Sequence, residues 1–65
     1  MRILVNGAWR ETVAVELSFV LQELGYGEAV VATAVNGEFV AAGVRAGTRL
    51  AEGDRVEVLA PMQGG

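Results

Sequence analysis

The chain closes on Gly64-Gly65, and its 65 residues include no lysine, histidine or cysteine. Without His or Cys, the usual near-neutral acid–base groups and the strongest side-chain nucleophile are missing. If the chain does chemistry, the main-chain carboxylate of Gly65 is the leading candidate for where it happens. Two glycines add nothing to a core and lose more freedom on ordering than any other residue. They do form a thin strand that can enter a narrow slot in another protein. Met62, Gln63 and Gly64 would thread into such a slot, and Gly65 would be the reacting end. The bland alternative is a frayed, inert terminus.

Composition sets the frame around that end. Sixty-five residues make one domain near the lower size limit for an independent core. Apolar residues are 52% of the chain, enough to build one. The lack of Cys and His removes disulfides and the commonest metal ligands, so no metal and no bound cofactor are expected. Net charge is −3, and all five basic residues are arginine: Arg2, Arg10, Arg45, Arg49 and Arg55. They are scattered and read as mostly solvated, which argues against nucleic acid as a partner. No apolar run is long enough to cross a membrane, and the start at Met1 lacks the layout of a signal peptide. The expected address is the cytoplasm, and the expected product is a complete small reading frame.

The elements that must carry the tail can be read from periodicity. Arg2 to Val5 alternates, Asn6-Gly7 supplies a hairpin turn, and Ala8 to Glu11 returns. Val13, Leu17, Val20, Leu21 and Leu24 then fall on one face of a helix, with Thr12 as its N-cap and Gly25 as its C′ residue. Glu16 and Glu23 are placed on the wet face. Val30 to Val35 reads as a buried strand, Asn36-Gly37 as a second turn, and Glu38 to Ala41 as its return. Ala42 to Glu52 is irregular, with Leu50 as core anchor. Gly53-Asp54 turns into a last strand, Arg55 to Ala60, which Pro61 ends. Trp9 and Tyr26 are read as partly buried.

This order, β-β-α-β-β-β, implies an α+β domain: a mixed sheet of four to five strands covered on one face by one helix. The first and last strands pair in parallel at its centre, which is the β-grasp, or ubiquitin-like, arrangement. Residues 1–60 form the domain and 61–65 the flexible tail. Leu4 and Leu59 fall on neighbouring strands on the face the helix leaves bare. With Met62 they form a candidate partner-contact patch, against the alternative of scattered surface apolar residues.

Three stretches resemble the ThiS family of sulfur-carrier proteins of thiamine biosynthesis: Ala34-Val35-Asn36-Gly37-Glu38, Leu50 to Val58, and Pro61-Met62-Gln63-Gly64-Gly65. The opening Met1 to Gly7 is similar as well. The resemblance implies a protein co-substrate, not an enzyme, with no catalytic residue of its own. A ThiF-like enzyme would use ATP to adenylate the Gly65 carboxylate. A cysteine desulfurase or related donor would supply sulfur, and the resulting thiocarboxylate would pass it to a ThiG-like thiazole synthase. The chemistry is coherent: a carboxylate is a poor acyl donor until joined to AMP, and a thiol on the carrier could divert the activated acyl group. Two alternatives share the tail, namely the small sulfur-carrying subunit of molybdopterin synthase and a ubiquitin-like protein tag. A plain interaction domain with an inert tail is the fourth reading.

Overall fold

A computed structural model describes residues 1–27 and 29–61. Two asparagines create its two hairpins. Asn6 (φ 49°) with Gly7 (φ 85°), and Asn36 (φ 51°) with Gly37 (φ 85°), occupy the left-handed region. A two-residue hairpin turn demands that geometry, because its twist must match that of the strands it joins. The first turn joins β1 (Arg2–Val5) to β2 (Ala8–Glu11), and the second joins β3 (Ala32–Val35) to β4 (Glu38–Val40).

The last strand, β5 (Arg55–Leu59), lies between the two hairpins, giving the order β2-β1-β5-β3-β4. It runs parallel to β1, with Val5 opposite Val56, and antiparallel to β3, with Thr33 opposite Val58 and Ala32 opposite Leu59. This is the five-stranded mixed sheet expected of a β-grasp fold. Ile3, Val5, Val56 and Val58 alternate onto one face and pack with Leu17, Val20 and Leu21 of helix α1 (Leu17–Glu23). Leu50 is buried in the same core, as its sequence context indicated.

The helix is shorter than the apolar spacing predicts. Val13 is 92% exposed and lies outside it, and the N-cap residue is Glu16, whose side chain makes no capping bond. Residues 13–16 are held in another way. The Leu50 N–H donates to Val15 C=O (2.8 Å), Leu17 N–H donates to Thr48 C=O (2.9 Å), and the Glu16 backbone pairs with that of Arg49 in an isolated antiparallel β-bridge. Tertiary pairing thus takes the backbone groups that a first helical turn would need. Thr12 is buried but caps nothing in α1. Its hydroxyl donates to Glu23 Oε1 and accepts from the Ala14 N–H at 3.0 Å. Glu23 is exposed as expected, whereas Glu16 is half-buried.

The helix ends as Gly25 foretells. Gly25 has φ 90°. Its N–H donates to Gln22 C=O (3.1 Å), and the Tyr26 N–H donates to Leu21 C=O (2.8 Å). These are the two bonds of a Schellman motif, which satisfies carbonyls the helix leaves open. Tyr26 packs against the core, but Trp9 is 55% exposed rather than partly buried. The expected strand from Val30 starts only at Ala32, and Val30 is 81% exposed. Ala41 falls outside β4, and a 3-10 helix, η1 (Ala42–Gly47), occupies the stretch read as irregular.

Candidate functional site: the root of the tail and the bare sheet face

The readings that use the tail converge on the end of β5, because that strand leads into it. Met62, Gln63, Gly64 and Gly65 lie outside the described residues, so the site is built here from its root. Alternation along β5 sends Val56 and Val58 inward and leaves Arg55, Glu57 and Leu59 on the face away from the helix. Leu59 is 72% exposed, opposite Ala32 of β3. Ahead of it, Ala60 and Pro61 join Val30, Val31, Ala32 and Leu59 around an apolar hollow of 460 Å³. The chain therefore leaves the sheet across a greasy surface, and Pro61 cannot extend the ladder because it has no N–H.

Leu4 shares this face, but the three-residue patch is not contiguous at its described members. Leu4 stands opposite Arg55, and Leu59 lies four residues further along β5, or ~13 Å at the rise of a strand. Arg55 and Glu57 occupy the strand between them. Leu4 instead stands opposite Trp9 of β2, whose ring lies 4.8 Å from the Arg2 guanidinium, within cation–π range. The bare face thus has a Leu4–Trp9 end and a Leu59–Pro61 end, and the tail belongs to the second. Phe39, opposite Ala34 and 73% exposed, adds apolar surface on the β4 side.

Two polar clusters fix the strands beneath this surface. In the first, the Asn6 carboxamide grips Val58. Its Oδ1 accepts the Val58 N–H (2.8 Å), and its Nδ2 donates to Val58 C=O (3.1 Å). In the second, Asn36 and Asp54 hold the start of β5. Asn36 Oδ1 accepts the Arg55 N–H (3.0 Å), Asn36 Nδ2 donates to Asp54 Oδ1 (3.1 Å), and Asp54 Oδ2 accepts the Ala51 N–H (2.8 Å). The two Asn-Gly pairs are turns, as read, and they are also clamps on the central strand. Their spacing in the sequence gives no hint of that second role.

The arginines are mostly solvated, as read, and Arg45 is the half-buried exception. Its Nε donates to Thr33 Oγ1 (3.0 Å), and a terminal guanidinium nitrogen donates to Val31 C=O (2.6 Å). The Thr33 hydroxyl is buried and donates to Val40 C=O (2.7 Å). Arg45 therefore ties η1 to β3, next to the hollow that Val31 lines. No group of three or more His, Cys, Asp or Glu suited to a metal ion occurs among the described residues. None of their helices is long and apolar enough to cross a membrane.

Comparison with known proteins adds to this geometry. No curated protein matches the chain. The crystal structure of a thiamine biosynthesis protein (ThiS) from Geobacter metallireducens superposes with a TM-score of 0.83 at 29% sequence identity, covering 100% of both chains. The model of the ThiS family matches residues 3–65, a span that takes in both hairpins, the central strand and the final diglycine. The chain belongs to the ThiS family.

Proposed function

We propose that this chain is a sulfur carrier of thiamine biosynthesis, acting in the cytoplasm as a substrate of other enzymes. A ThiF-like enzyme joins the Gly65 carboxylate to AMP at the expense of ATP, releasing pyrophosphate. A persulfide derived from a cysteine desulfurase or related donor attacks the adenylate carbonyl and displaces AMP. A second thiol then cleaves the resulting acyl disulfide, leaving sulfur on Gly65 as a thiocarboxylate and the two thiols joined as a disulfide. The Gly65 thiocarboxylate then gives its sulfur to a ThiG-like thiazole synthase. The observation that carries this reading is the family match, which runs through to residue 65. It supports the thiamine carrier over the molybdopterin synthase subunit and the protein tag, which share the tail chemistry.

The chain's own contribution is to present, orient and stay inert. Its composition leaves no cysteine or lysine to attack the activated acyl group. Gly64 and Gly65 lack side chains that would obstruct entry to a closed site, where water must be kept from the adenylate. The apolar surface of Leu59, Val30 and Pro61 stands at the root of the tail, where a partner holding the tail also meets the sheet.

Intact mass is the test. Incubation with ATP, a ThiF-like enzyme and a sulfur donor is expected to yield a form heavier by one oxygen-to-sulfur exchange, confined to the peptide ending in Gly65. Transfer of that sulfur to a thiazole synthase reaction completes it. A chain that stays at its original mass under conditions that load an authentic ThiS protein refutes the reading.

A further inference from the structure

We propose that Asn6 is a site of spontaneous deamidation, and that its conversion to isoaspartate releases the tail-bearing end of β5 from the sheet. Two observations meet at this residue. The first is chemical. Asn6 precedes Gly7, and a glycine places no Cβ in the way of its own main-chain nitrogen. That nitrogen can attack Asn6 Cγ: a C–N bond forms, the bond from Cγ to Nδ2 breaks, and ammonia leaves with the proton from Gly7. Water then opens the succinimide at either carbonyl, giving aspartate or isoaspartate. The net change is one NH2 replaced by one OH, with no redox step.

The second observation is geometric. The backbone pairing of β1 with β5 runs from Leu4 N–H on Asp54 C=O to Asn6 N–H on Val56 C=O, both at 2.9 Å. One rung further, the Asn6 side chain takes over, donating to and accepting from Val58 as a strand residue would. The carboxamide thus extends the parallel ladder toward Ala60 and Pro61. Isoaspartate routes the main chain through the side-chain carbon. That lengthens the turn by one atom and removes the carboxamide, so both bonds to Val58 are lost.

The same clamp protects the site while it is closed. The carbonyl and amino group that must react are both engaged with Val58, so cyclisation waits for the hairpin to open, and its rate follows that opening. Asn36-Gly37 has the same chemistry and provides the internal comparison. Its carbonyl accepts the Arg55 N–H of β5, but its amino group, the group that must leave, is held by the Asp54 carboxylate rather than by a backbone carbonyl, so one strand bond holds it where two hold Asn6. In the folded chain Asn36 therefore reacts faster than Asn6, and unfolding brings the two to similar rates.

The experiment ages the full chain at mildly alkaline pH, with and without denaturing urea. It maps amide-to-acid conversion by peptide mass, and reads amide hydrogen exchange at Val58 in the purified isoaspartate form. Asn6→Gly is the second variant, since it keeps the positive φ of the turn, removes the carboxamide and cannot deamidate. Urea is expected to accelerate conversion at Asn6 more than at Asn36. Val58 exchange is expected to rise at least roughly three- to tenfold in both the isoaspartate form and Asn6→Gly, from loss of the bond to the Val58 N–H alone. Conversion of Asn6 at equal rates in folded and unfolded chain overturns the proposal. So does Val58 exchange that matches the parent in either altered form.

Discussion

Leu59 allows the contact proposed for the bare sheet face to be separated from the folding of the domain. Its side chain is 72% exposed, so Leu59→Ser removes little that the isolated chain uses. Substitution at such a surface position changes stability by about 0.5 kcal/mol or less. A partner that covers this face gains what the solvent now touches. Fully burying a leucine contributes ~1.5–3 kcal/mol, and the exposed 72% of that is ~1–2 kcal/mol. At a factor of ten per ~1.4 kcal/mol, the variant should raise the KM for the carrier by about five- to thirtyfold. The assay is carrier-dependent exchange of pyrophosphate into ATP by a ThiF-like enzyme, run beside thermal melts. Val13→Ser is the control. Val13 is more exposed still, at 92%, but it follows β2 at the far end of the sheet from the tail. An unchanged KM for Leu59→Ser, or an equal rise for Val13→Ser, would refute the assignment of the Leu59–Pro61 end as the docking surface.

Further outcomes follow from the polar clusters and the core. Thr33→Val deletes a buried hydroxyl that donates to Val40 and accepts from Arg45. It should cost ~1–3 kcal/mol, visible as a lower urea midpoint, and Arg45→Ala should be strongly non-additive with it in a double-mutant cycle. Leu17→Ala empties a fully buried position of α1. At ~2–5 kcal/mol it should leave so small a domain largely unfolded by circular dichroism at 37 °C. Gly53 has φ 85° and open space where a Cβ would sit. Gly53→Ala should therefore cost only the backbone strain, ~1–2 kcal/mol, and chemical synthesis with D-alanine at this position should recover it. Removal of Gly65 should abolish sulfur loading by mass spectrometry while leaving the melting temperature unchanged.

The parts of the fold that were legible in the sequence are those fixed by local chemistry. Asn-Gly twice, Gly25 and Gly53 mark positions where the chain needs positive φ, and the backbone adopts it at each. Alternation in Arg2–Val5 and Arg55–Leu59 gave the buried sides of the two central strands. What failed was local pattern overridden by distant pairing. Val13 stands four residues before Leu17 and so fits a helix, but its segment is bonded to Thr48 and Leu50, partners more than thirty residues away. Arg45 could not be distinguished from the other arginines, because its role depends on where η1 lies against β3. The end proposed to react is read from the sequence for the opposite reason. A diglycine end and an absence of cysteine, histidine and lysine are facts of composition, and no packing is needed to see them. The grouping of Leu4 with Leu59 required knowledge of register, which alternation alone does not supply.

The position of β5 also bears on how the protein is made. Among the described residues its neighbours, β1 and β3, belong to separate hairpins that join in one sheet only through it. Until residues 55–59 leave the ribosome, a nascent chain holds two isolated hairpins, each marginal in water. The sheet closes only after translation has passed its central strand, so a chain that stops earlier never buries its core and stays open to proteases. Folding thereby acts as a proofreading step on synthesis. A chain that folds has already been read through to Leu59, six residues from Gly65.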